Sequence, residues 1–136
     1  MSGERTHRMW AAIAAVTVMN LPLGSIYAFS VFLKPIEAEL GLARSALSLV
    51  FGLASIGFTV GMLAAPYAYG IVSAGRLAAL CSAAAAIGIG LSATANGLTQ
   101  LLIGYGVLFG CGGGAAYIVA QQSVNMLVTR RRGLLN

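Results

Sequence analysis

Between Leu77 and Thr129 the chain reads LAALCSAAAAIGIGLSATANGLTQLLIGYGVLFGCGGGAAYIVAQQSVNMLVT, 53 consecutive residues without an Asp, Glu, Lys, Arg or His. No water-soluble domain is written that way. A bilayer core takes about 20 apolar residues per helical span, so this stretch holds two spans. The break between them falls near Asn96-Gly97, a turn dipeptide whose residues tolerate positive φ, with Thr99 and Gln100 beside it. Working outward, Met9 to Leu33 and Ser45 to Gly75 are uncharged over 25 and 31 residues and hold one span each. The expected fold class is an all-α membrane protein with four transmembrane helices, at about 9–33, 46–70, 77–95 and 100–128 of the 136 residues.

The polar remainder is an N-terminal tail over 1–8, the Lys34–Arg44 link and a basic segment over 130–136. None of these is large enough for a soluble domain, so whatever functions here sits in or beside lipid. A basic start followed by an apolar run also describes a secretory signal, but this run is longer than a typical h-region and Asn20 and Pro22 interrupt it. Cys81 and Cys111 fall inside spans, where free cysteine behaves as a small hydrophobe; no disulfide or metal site is implied.

Four spans place Arg5, Arg8, Arg76, Arg130, Arg131 and Arg132, with Glu4, on one side of the membrane. Lys34 and Arg44, with Glu37 and Glu39, fall on the other. Short loops rich in Lys and Arg stay cytoplasmic, so both the N-terminus and the 130–132 end are expected inside. Topology thus accounts for the net charge of +5. No basic patch with interleaved aromatics points to nucleic acid. The triple arginine reads as a topology anchor with some attraction to anionic lipid.

In lipid, small residues mark helix contacts, and polar ones mark contacts or a cavity. On the second span Ser45, Ser48, Gly52, Ser55, Thr59, Met62 and Pro66 make one stripe, and Gly57 and Gly61 a GxxxG pair on another face; helix packing is the expectation for both. The third span is small on nearly all sides and reads as structural. On the first, Thr17, Asn20, Gly24 and Tyr27 share a face, and Pro22 frees the Val18 carbonyl. Asn20 either bonds a neighbouring helix or meets water or ligand. On the fourth, Gly106, Gly110, Gly113, Tyr117, Gln121 and Asn125 form a stripe, glycine in one half and hydrogen-bonding in the other. A water-filled cavity fits that stripe better than packing alone.

No ionisable group lies within any span, so a membrane-embedded carboxylate relay or a fixed charge for an ionic substrate cannot come from these residues. Enzymatic readings fail on content. The single His7 is in the tail, no HExxH or paired acids occur, and Ser73 lacks the glycine of a nucleophile elbow two positions earlier. The Gly110–Ala115 run follows no strand, which discounts a dinucleotide loop. No cofactor or metal is expected.

Four features resemble the N-terminal part of a major facilitator superfamily transporter, most like its oxalate/formate antiporter and monocarboxylate porter groups. These are Leu23-Gly24-Ser25-Ile26-Tyr27-Ala28-Phe29-Ser30-Val31-Phe32 followed by Lys34-Pro35; Leu42, Arg44 and Ser45 leading into span two; the glycine-rich fourth span ending in Tyr117; and Arg131-Arg132-Gly133-Leu134. The resemblance covers nearly the whole chain and implies twelve helices in two six-helix halves, of which this chain supplies helices 1–4. Its partners would be the lipid bilayer, a small-molecule solute and the missing C-terminal helices of the same transporter.

The resemblance also implies a plasma (inner) membrane location. It implies a small organic anion as substrate, with the positive charges for a carboxylate coming from the missing half. Helices one and four would line the cavity, with Tyr27 and Tyr117 as pseudo-symmetric pocket residues and Asn20, Gln121 and Asn125 offering hydrogen bonds. In the gating link between helices two and three only Gly75-Arg76 matches the family pattern; Val72 stands where an Asp would fall, so that residue's charge contact cannot form.

Two rivals stand beside this. A four-helix small multidrug-type transporter dimer needs an acid in its first helix, which is absent. A non-transporting membrane subunit or decayed gene product would leave helices two and three looking the same, but gives no reason for the polar stripe of helix four.

Overall fold

The computed structural model describes residues 24–132 and, before them, 7, 10, 11, 13, 14, 17, 18, 20 and 21, all nine of which are helical. Side chains are described through 123 and at Asn125, except those of residues 25–27. The elements are all helical: α1 (Ser25–Leu40), α2 (Arg44–Ala68), α3 (Ala74–Ala93) and a final helix, α4, over 98–132. Helix α4 is α-helical over Leu98–Leu101, π-helical over Leu102–Phe109 and α-helical again over Gly110–Arg132. The protein is an all-α membrane chain. Among the described residues three helices are long and apolar enough to cross a bilayer: Arg44–Ala68, Ala74–Ala93 and Leu98–Ser123. The expected first span, 9–33, lies partly outside the described residues.

Helices α2, α3 and α4 begin two or three residues before the starts expected at 46, 77 and 100. The Lys34–Arg44 link differs more from expectation. Helix α1 continues through Lys34, Pro35 and Glu37 to Leu40, and only 41–43 turn. The turn depends on Gly41, which adopts φ 62° while its N–H donates to the Glu37 carbonyl at 3.0 Å. That left-handed helix ending favours glycine, which has no Cβ to strain there. At the other end, Arg130, Arg131 and Arg132 belong to helix α4 rather than to a separate link.

The 94–97 link turns without positive φ; Gly97 is extended, at φ 177°. The expectation that Asn96-Gly97 works through left-handed backbone is therefore corrected. The Gln100 side chain makes the turn instead. Its amide donates to the carbonyls of Leu91 (3.0 Å) and Thr94 (3.1 Å), and its Oε1 accepts from the Asn96 N–H at 3.3 Å. One side chain thus serves carbonyls that the end of α3 leaves open.

Helix α4 is the centre of the bundle. Gly110 and Gly114 press on α2 while Gly112 presses on α3. Two residues along an α-helix turn it by about 200°, so α2 and α3 lie on opposite sides of α4 and share few contacts of their own. The approach is backbone to backbone. A Cβ built on Gly114 would overlap the Phe58 carbonyl oxygen, and one on Gly61 the Cys111 carbonyl oxygen. One on Gly112 would come within 2.9 Å of the Ala85 nitrogen and the Cys81 carbonyl oxygen. The Gly57/Gly61 pair therefore packs as expected. Lipid tails are as apolar as leucine, so close van der Waals contact of this kind is what holds helices together in a bilayer.

The Ser45–Pro66 stripe of α2 does not pack. Ser45, Ser48, Thr59 and Pro66 are exposed, and the hydroxyls of Ser48, Ser55 and Thr59 donate to the carbonyls of Arg44, Phe51 and Ser55, four residues back. The buried residues of α2 are Leu47, Val50, Ala54, Gly57, Gly61 and Ala65, which face α4. A third face, carrying Leu49, Ile56, Val60, Leu63 and Tyr67, is exposed and apolar, as a lipid-facing surface must be.

Glycine content alone does not make a contact, and α3 separates the cases. A Cβ on Gly88 would stand 2.5 Å from the Gly104 carbonyl oxygen and the Phe109 nitrogen, whereas one on Gly90 meets nothing within 4 Å. Gly88→Ala is expected to destabilise the bundle by about 1–3 kcal/mol through overpacking. Gly90→Ala is expected to be neutral or to gain up to about 1 kcal/mol of helix propensity. Thermal unfolding in detergent compares them; equal effects would contradict the packing.

Candidate functional site

The polar half of the α4 stripe begins where the glycines end. Tyr117 is half-buried, its ring tilted against Phe58 of α2 with centroids 6.0 Å apart. Gln121, one turn on and exposed, donates from Nε2 to Tyr117 Oη at 2.7 Å. Spacing of i and i+4 on a helix makes these side chains neighbours. The bond leaves the Gln121 carbonyl oxygen as an open acceptor and the Tyr117 hydroxyl hydrogen as an open donor. Asn125, a further turn along, is exposed. The structure thus brings Tyr117 and Gln121 together and puts Asn125 beyond them on the same helix.

The first-helix candidates are described only in part. Asn20 is helical and half-buried, and its carbonyl accepts from the Gly24 N–H at 3.2 Å. The backbone of Tyr27 is in α1; its side chain lies outside the described residues, as do those of Arg130, Arg131 and Arg132. Gly75 and Arg76 sit in the first turn of α3, both exposed. A Cβ on Gly75 meets nothing within 4 Å.

At the opposite end of the bundle an aromatic stack links three helices. Phe29 of α1 stacks on Phe51 of α2 (5.7 Å) and lies against Tyr105 of α4 (4.9 Å), which stacks on Phe109 (4.8 Å). Leu33, Ile36, Leu40 and Leu42 pack beside it against a cluster that includes Leu47, Leu98, Leu101 and Ala95. The 41–43 turn and the 94–97 link therefore share one end of the bundle, the arrangement on which the sorting of charges rests.

Arg44 closes that end. Its Nε and Nη2 donate to the two Glu37 carboxylate oxygens at 2.8 and 3.3 Å, a bidentate pair across the turn. The Arg44 hydrogen bond holds the Glu37 carboxyl below its ordinary range. Near the other end, the Tyr69 hydroxyl is buried without a hydrogen-bond partner.

Local spacing reached Tyr117 and Gln121 but not Phe58, which comes from a helix whose register against α4 no local pattern fixes. Among the described residues no His, Cys, Asp and Glu group has the makings of a metal site.

The chain is similar to an uncharacterized MFS-type transporter, YhjX, of Escherichia coli (strain K12), at 25% identity over 127 residues. The match takes in 93% of this chain and 32% of that protein, so the chain spans about a third of the length of the relative it matches. By its description that relative is a transporter of the MFS type. No family profile matches the chain, and no solved structure is similar to it.

Because the folded-state pKa of Glu37 is depressed, the ion pair contributes fully above the unfolded carboxyl value and is lost as pH falls through the folded one. A double-mutant cycle of Glu37→Gln and Arg44→Gln is expected to show favourable coupling at pH 7. That coupling should fade below the ordinary glutamate range and under 1 M salt, as it does for any exposed pair.

Proposed function

We propose that this chain forms helices 1–4 of a secondary active transporter that moves a small organic anion, a mono- or dicarboxylate, by alternating access. Similarity to an MFS-type transporter supports the class. The observation that carries the site is the Tyr117–Gln121 hydrogen bond beside Phe58. Those two groups offer a donor and an acceptor, and facing lipid would be costly to both. Asn125 extends the hydrogen-bonding edge, and Asn20 and Tyr27 of the first helix are assigned to the same cavity. The cation that balances a carboxylate comes from helices beyond these four, since none of the described spans carries one at mid-depth.

Alternating access then rocks this half against the other about a midplane site. The protein lies in the plasma membrane with the N-terminus and Arg130–Arg132 cytoplasmic, as the excess of arginine there requires. Gly75 and Arg76 sit at the same face, where they take part in closure.

The test uses the full-length transporter with Cys81 and Cys111 replaced by alanine. Tyr117→Cys and Gln121→Cys should react with a water-soluble thiol reagent, and Val60→Cys, on the apolar face of α2, should not. Unreactive cysteines at both 117 and 121 would sink the cavity reading. Where uptake of labelled mono- and dicarboxylates is measured, Gln121→Leu is expected to raise KM by up to about tenfold, the loss of one neutral hydrogen bond.

A further inference from the structure

The bond between Tyr117 and Gln121 fixes what the two can still offer a third group. With Gln121 Nε2 donating to Tyr117 Oη at 2.7 Å, the tyrosine keeps its hydrogen to give and the amide keeps Oε1 to receive one. With the bond turned round, Oη donating to Oε1, the amide hydrogens are left to give and the Oη lone pairs to receive. In either sense the pair presents one donor and one acceptor side by side. Oε1 sits on the same amide carbon as Nε2, so a single solute oxygen reaches both open positions. No charge competes with them on this helix, since Leu77 to Thr129 holds no Asp, Glu, Lys, Arg or His. Phe58 lays an apolar ring against one side of the tyrosine, centroids 6.0 Å apart, and beside such a wall a hydrogen-bonding group left unpaired is costly.

A carboxylate accepts hydrogen bonds and cannot donate one. Set against this pair it would take the offered hydrogen and press its oxygen on the pair's acceptor. A ketone meets the same conflict, and a methylene leaves both positions unpaired. An alcohol matches both, its oxygen accepting from the donor while its hydrogen goes to the acceptor. We propose that Tyr117 and Gln121 read a hydroxyl group on the solute, so that the class carried is the hydroxy acids, with the carboxylate itself held by the cation of the helices beyond these four. This recognition rests on the organic-anion reading given under Proposed function and narrows it. A site built to hydrogen-bond a hydroxyl rejects the analogue that lacks one, because its own polar groups are then left without partners. The pair therefore decides which acid is preferred, and the distant cation decides that an acid binds at all.

The measurement is calorimetric titration of the full-length protein in detergent at pH 7, where the acids are ionised. One set of probes is 2-hydroxypropionate, propionate and 2-oxopropionate; a second is 2-hydroxysuccinate and succinate. Within the set that binds, the hydroxy acid is expected to bind about tenfold tighter than its analogues, the worth of a matched hydrogen bond over an unpaired group. Gln121→Leu should bring that ratio within about threefold, and Tyr117→Phe, which keeps the ring against Phe58, should do the same and decides alone if Gln121→Leu is not recovered. The ratio is the readout because a merely loosened helix weakens all the acids alike and leaves it standing. Equal affinities in the parent, which a pair that took a protonated carboxyl would also give, overturn the proposal and leave an organic-anion transporter in place. A preference that survives in both variants overturns it too. Absence of binding by every acid overturns the organic-anion reading and the proposal with it.

Discussion

Everything described here hangs on contact between the backbone of α4 and the backbones on either side of it. In a bilayer no hydrophobic driving force brings helices together, so the distance of closest approach decides whether they associate. Gly110 and Gly114 set that distance to α2, Gly112 and Gly104 to α3, and Gly57, Gly61 and Gly88 return the contact from the other helices. Because successive glycines of α4 point to opposite neighbours, a single helix organises two others that barely touch each other. Phe109 and Val119, buried among these small residues, fill what the glycines leave open.

That arrangement also explains where polarity is allowed. The face of α2 turned toward α4 is apolar or glycine, Ser92 on the facing side of α3 donates back to the Gly88 carbonyl, and the serines and threonine of the α2 stripe likewise satisfy themselves on their own helix. Tyr117 and Gln121 do the reverse. They bond each other at the edge of the close-packed region and keep further hydrogen-bonding capacity free, which is the chemistry expected of a surface that meets water or solute.

Helices were legible in the sequence because uncharged runs of 25 to 53 residues admit no other structure in lipid. The Gly57/Gly61 contact and the 117/121 edge followed from helical spacing alone. What spacing could not give was the partner of each face. The Ser45–Pro66 stripe has the same period as the Gly57/Gly61 pair, yet only the pair is covered, since choosing between two plausible stripes requires knowing where α4 lies. Nor does composition announce a π-helical segment, whose extra residue is set by what Gly104, Tyr105 and Gly106 each face. The turn at 94–97 was located by its polar residues, but Gln100 rather than Gly97 forms it, through bonds that exist only once α3 and α4 are adjacent.

The central claim, that α4 lies backbone-close against α2, is tested most directly by a cross-link between Leu53→Cys and Gly106→Cys in the membrane-embedded full-length protein with Cys81 and Cys111 replaced by alanine. A Cβ on Gly106 would stand 3.4 Å from that of Leu53, close to the separation that a disulfide spans. With a protease site placed in the 94–97 link, mild oxidation should keep the two cleavage fragments together on a non-reducing gel and reduction should part them. Fragments that separate after oxidation would contradict the account.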